Sequence, residues 1–167
     1  MYVYERTILK TFTQTKKFLN NLKSAVYFKA INSSKDLRPA DKIAMEIINK
    51  IEKKEKLRFL KDSVETVLEN MKPCDAYLLG VQYGVGELGV GCNEKKDRNF
   101  YRKTALAVKR FSDGMSGLGF NKIVYENYLK SFSFLNAEYQ KSVALKEKIS
   151  DNQEYRLKDT SESLRKK

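Results

Sequence analysis

The chain has 167 residues and a formal net charge of +12, from 33 Lys/Arg against 21 Asp/Glu, and contains no histidine. That length suits one ordinary domain able to bury a core without disulfide or metal staples, and 41% apolar content predicts a folded globule. Without histidine, Cys/His zinc sites and Ser-His or Cys-His catalysis are excluded. The two cysteines, Cys74 and Cys92, lack metal-ligand spacing, so no catalytic residue, metal or cofactor is expected.

The fold class expected is all-α, a single-domain bundle of about five helices with a Gly-rich internal loop and a polar tail. The first helix spans residues 5–30, where Ile8, Phe12, Thr15, Leu19, Leu22 and Val26 recur at spacings of three and four. Arg6, Lys10 and Lys17 fall on its opposite face with Lys16 and Lys23 on the flank, a secondary basic face. Tyr2 and Tyr4 precede it and are expected to find some contact. A polar cluster, Asn32-Ser33-Ser34, ends the pattern.

A single long helix, or two with a small bend, is expected over 40–71, beginning near Pro39. Ile43, Ile47 or Ile48, and Ile51 form one stripe; Leu57, Leu60, Val64, Val67, Leu68 and Met71 form a second. A helix of that length is a candidate homodimer surface. After Pro73 a short helix is expected over 74–83, with Cys74 as a small buried apolar residue. Gly80, Gly84, Gly86, Gly89 and Gly91 mark the least helical stretch of the chain.

The next helix, 98–111, carries the clearest functional signal. Arg98, Arg102, Lys103, Lys109 and Arg110 fall within an arc of about 140°, while Phe100, Tyr101, Thr104, Ala107, Val108 and Phe111 take the other side. Leu106 lies inside the basic arc and implies a contact with a partner. Lys95 and Lys96 extend the strip, and Asn99 sits beside it. DGMSGLG then reads as a loop, and residues 120–140 as one aromatic-rich helix closing the core through Phe120, Ile123, Val124, Tyr128, Phe132, Leu135 and Tyr139. The helical domain is placed at 1–141, with a frayed or disordered charged tail at 142–167.

Charge is unevenly spread. Residues 1–35 carry +6, residues 36–70 balance to zero, and residues 94–111 carry +5. Clustered basicity of this kind is the electrostatic footprint of a polyanion binder. Nucleic acid, DNA ahead of RNA, is therefore the leading partner, and a protein-interaction module with an acidic partner is the alternative. Gly84-Val85-Gly86-Glu87-Leu88-Gly89 matches G-x-G-x-x-G but lacks the following helix start and the acid about 20 residues on. It is read as a connector. With no apolar stretch of roughly 20 residues and no signal-like N-terminus, a cytoplasmic location without membrane contact is expected.

The order of pieces over about 75–112 resembles the C-terminal helix-turn-helix of bacterial RNA polymerase sigma factors. Tyr77-Leu78-Leu79-Gly80-Val81-Gln82-Tyr83 precedes a connector, then Arg98-Asn99-Phe100-Tyr101-Arg102-Lys103-Thr104-Ala105-Leu106. The resemblance implies DNA binding or modulation of the polymerase, with Arg98, Asn99, Arg102 and Lys103 towards the DNA. The chain departs from that family where a short positioning helix belongs, carrying VGELGVGCNEKKD instead.

Overall fold

The computed structural model describes residues 2–36, 38–85 and 97–145, which are helical with no strand among them. Helix α1 spans Val3–Ile31 and, after a 3-10 turn at Asn32–Lys35, α2 spans Ala40–Asn70 without a break. These two long helices form an antiparallel hairpin. Helix α3 (Pro73–Tyr83) and α4 (Arg98–Gly117) pack on each other, and α4 also lies against α1 and α2. Helix α5 covers Lys122–Ser131 and residues 133–145 form α6.

Local chemistry fixes most of the helix ends. Pro73 opens α3 at its first position, where a missing N–H costs nothing. Gly84 closes α3 in the left-handed region at φ 69°, its N–H bonded to the Gly80 carbonyl at 2.8 Å. Asp97 and Asn121 cap α4 and α5, accepting from the N–H groups of Phe100 (2.7 Å) and Val124 (3.0 Å).

Helix α4 runs six residues beyond the expected end, and its glycines explain why. Gly119, at φ 87°, terminates it: the Gly119 N–H reaches the Ser116 carbonyl and the Phe120 N–H reaches that of Met115. Gly114 is an interior residue of the helix, placed where α4 crosses α2. A Cβ built on it would lie 2.7 Å from Val67 Cγ1, so the crossing needs a residue without one.

The aromatic helix expected over 120–140 is two helices. Phe132 takes an extended conformation (φ −132°, ψ 105°) that redirects the chain. Phe132 and Leu135 are both buried while α6 turns towards the start of α1. There Tyr4 stacks between Tyr125 and Tyr139, each 5.2 Å away, and Lys10 pairs with Glu138 at 3.1 Å. Helix continues through 145, past the expected start of the tail at 142. The remainder of that tail, like Cys92 and the glycines at 86, 89 and 91, lies outside the described residues.

The core gathers Ile8, Leu9 and Phe12 of α1, Leu57, Leu60 and Val64 of α2, Leu79 of α3, Val108, Phe111 and Met115 of α4, and Phe120, Tyr125 and Phe132 beyond. Among the described residues, none between Leu22 and Leu57 joins it. Ile43 alone is buried in the first half of α2; Ile48 and Ile51 of the expected stripe are exposed, as is Ile123 of α5. No helix among the described residues is long and apolar enough to cross a membrane.

Candidate nucleic-acid interface

Helix α4 sorts its side chains cleanly. Phe100, Thr104, Ala107, Val108, Phe111, Ser112 and Met115 are buried, whereas Arg98, Asn99, Arg102, Lys103, Lys109 and Arg110 are exposed. Tyr101 departs from the expected packing face: it is half exposed and stands edge-on to Phe100, at the margin of the buried arc. One polar anchor holds the helix from below: Ser112 donates a buried hydrogen bond to the Glu5 carboxylate of α1 at 2.8 Å. The buried Thr104 hydroxyl is satisfied within α4, donating to the Phe100 carbonyl at 2.9 Å.

The basic arc resolves into two stripes. Arg98, Arg102 and Lys109 fall within about 40° of one another around the helix and span roughly 16 Å along it. None of them forms an ion pair among the described residues. Lys103 and Arg110 lie further round, towards α3, with Leu106 between the stripes. Arg110 differs from the rest: its guanidinium pairs with Asp75 of α3 at 2.6 Å, the acid only 6% exposed and the arginine 51%. Asp75 in the first turn of α3 is also favoured by the helix dipole there. Arg110 is thus a structural partner as well as a surface cation, a pairing between positions 35 apart that no local pattern reveals. Lys95 and Lys96 lie outside the described residues.

The secondary basic face of α1 fares differently. Lys10 is tied to Glu138 and to the Ser142 hydroxyl, and Lys16 to Glu65 at 3.0 Å while lying 4.7 Å over the Phe12 ring. Burial pushes the Glu65 carboxyl up, but Lys61 and Lys16 outweigh it and hold the group below its ordinary value. Arg6 is half-buried, its Nε without a hydrogen-bond partner among the described residues. Only Lys17 and Lys23 of that face are exposed and free of ion pairs there. The amphipathic pattern misplaced Arg6 because α1 is covered over more than half its circumference near its start.

Cys74 is exposed rather than buried, because Asp75, and not its neighbour, turns inward from the first turn of α3. It lines a cavity of about 370 Å³ together with Tyr77, Leu78, Lys103, Leu106 and Arg110. A second cavity of about 340 Å³ lies across the Asp75–Arg110 pair, lined by Val67, Met71, Lys72, Gly114 and Leu118. No cluster of Cys, Asp or Glu suited to a metal ion occurs among the described residues. No family model matches the chain, and neither curated proteins nor solved structures include a match to it.

Proposed function

We propose that the protein binds nucleic acid, duplex DNA foremost, through the outer stripe of α4, in a transcription-associated role. One observation carries this reading: Arg98, Arg102 and Lys109 stand in line on a rigid, capped helix, exposed and engaged in no ion pair among the described residues. Elsewhere the acids are largely taken up by lysines and arginines, as in the pairs Lys16–Glu65, Lys29–Glu46 and Lys61–Glu65. Unpaired cations at this density displace counterions from a phosphate backbone, the sequence-independent part of nucleic-acid affinity. Asn99 and Lys103 supply hydrogen-bonding groups beside the stripe, in keeping with the sigma-factor resemblance of the α3–α4 region.

Filter binding to duplex DNA, single-stranded DNA and RNA tests the reading. Wild type should bind duplex at low salt, with log K falling against log salt at a slope of about −3 or steeper. The variant carrying Arg98→Ala, Arg102→Ala and Lys109→Ala should lose most of that slope and bind far more weakly. Absence of binding at low salt would sink the proposal.

A second reading, a protein-interaction module acting through α2, is favoured by the outer part of the α1–α2 hairpin. Tyr27, Phe28, Met45 and Ile48 are all exposed there. Sedimentation of the intact chain addresses its homodimeric form.

A further inference from the structure

The α3–α4 groove combines features that an electrostatic nucleic-acid site does not need. Its cavity is walled by Leu78 and Leu106, and across the Asp75–Arg110 pair it meets a second cavity between the end of α2 and α4, walled by Met71 and Leu118. Lys103 and Lys72 stand at the cavities, one on each side. Asp75 is buried beneath Arg110 and offsets its charge locally, which makes the groove a poor place for a run of phosphates. It does not exhaust the arginine. A guanidinium has five N–H donors, and Asp75 takes one of them, through Nη1. The pairing fixes the side chain in place while leaving it half exposed. Leu106, which is 51% exposed, lies among cations where a purely phosphate-binding helix gains nothing from a leucine.

We infer that the surface along α4 from the α3–α4 cavity, across the Asp75–Arg110 pair, to the α2–α4 cavity docks a short amphipathic peptide segment of a partner protein, with apolar anchors entering the two cavities and carboxylates meeting Arg110, Lys103 and Lys72. The complementarity is specific in sign and layout. The lining carries three cations against one buried acid, set among apolar walls, so the segment that matches it has acids interleaved with leucine-like side chains. This is the helix-in-groove mode, with anchors one helical turn or two apart. An anchored arginine is the better receptor for a carboxylate, because it is already ordered before the ligand arrives. The docking site lies beside the outer stripe of α4 and shares only Lys103 with the proposed nucleic-acid surface, so one helix would serve a nucleic acid and a protein partner on adjoining faces.

The test is a displayed library of random peptides about 16 residues long, selected on the intact wild-type chain. Enriched peptides should place Asp or Glu three or four positions from Leu, Ile, Phe or Met, and should slow alkylation of Cys74 when bound. Their affinity should fall by about tenfold or more in Leu106→Asp, and in Lys103→Glu should recover when the peptide's acids are replaced by lysine. Leu106→Ala, which adds no charge, should weaken binding less. Peptide binding should survive in the Arg98→Ala, Arg102→Ala, Lys109→Ala variant, and DNA binding should survive in Leu106→Ala, which leaves the charge of the stripe unchanged, so the two sites fail separately. The proposal is overturned by no enrichment, by enrichment of basic or uncharged sequences, by peptides indifferent to Leu106→Asp, or by a Leu106→Ala variant that loses DNA as well.

Discussion

Along α1, Ile8, Leu9, Phe12 and Leu19 are buried, whereas from residue 20 to Ile31 no side chain is. Along α2 the order reverses: Ile43 is the one buried residue before Leu57, after which Leu57, Leu60, Ser63, Val64 and Val67 all face inward. The inner and outer halves of one hairpin are thus built from similar residues and differ in what lies on them. The inner half is covered by α3, α4, α5 and α6. Among the described residues the outer half has only its own two helices, stitched at the turn by Lys29, Asp36, Arg38 and Glu46. Amphipathic pattern supplies an apolar face; coverage turns that face into stability.

The largest expected effect breaks the comparison at single side chains. Leu60→Ala in the inner half should cost about 2–5 kcal/mol, the range for a fully buried leucine, whereas Ile48→Ala in the outer half should stay within about 0.5 kcal/mol. Urea unfolding measures both. An Ile48→Ala loss as large as that of Leu60→Ala would mean that the outer half is covered in solution, by a second copy of the chain.

A smaller effect is expected at the α2–α4 crossing. Gly114→Ala gains about 1 kcal/mol of helix propensity but drives a methyl into Val67, an overpacking cost of about 1–3 kcal/mol. The net outcome should be a modest destabilisation, relieved in the Gly114→Ala, Val67→Ala double variant relative to Val67→Ala alone. Additivity of the two changes in a double-mutant cycle would contradict the close approach.

The subtlest contrast is in pH. Burial pushes the Tyr128 phenol up to about 12 and Tyr125 higher still. Their contribution is complete below the unfolded phenol value near 10 and is lost as pH rises through the folded value, because the unfolded state releases its protons first. In the outer half, hydrogen bonds from Arg38 and then Lys29 hold the Asp36 and Glu46 carboxyls below their ordinary values. That contribution is present above the unfolded carboxylate values near 4 and lost as pH falls below them. Amide protection, taken relative to the intrinsic exchange rate at each pH, should therefore fall first at 25–50 on acidification and first in α5 above pH about 10. The reverse order would contradict both assignments.

The all-α class, the long α2 and the inward stripe from Leu57 to Val67 were legible because helical periodicity is a local property. The same reading treated Ile48 and Ile51 as equivalent to Leu57, since a sequence pattern marks a face without saying whether another element reaches it. The division of α4 into buried and exposed sides was also legible, apart from Tyr101. What escaped is non-local. The Asp75–Arg110 pair, the Glu5–Ser112 bond and the Gly114–Val67 approach join residues distant in sequence, and Phe132 breaks its helix with neither glycine nor proline to announce it. Gly114 and Gly119 carry the same letter and opposite roles, one permitting a crossing and the other ending a helix.

The tyrosine stack at the start of α1 bears on how the molecule is made. Tyr4 meets Tyr139, and Lys10 meets Glu138, across nearly the whole described length of the chain. Closing so long a loop is an entropic cost met late, after the local helices exist. During synthesis, which proceeds towards the C-terminus, α2, α3 and α4 can cover Ile8, Leu9 and Phe12 of α1 in turn, whereas the Tyr4 end of α1 is completed only once α6 has emerged. The last surface to close in the finished fold is therefore an aromatic one, at the place where the two ends of the described chain meet.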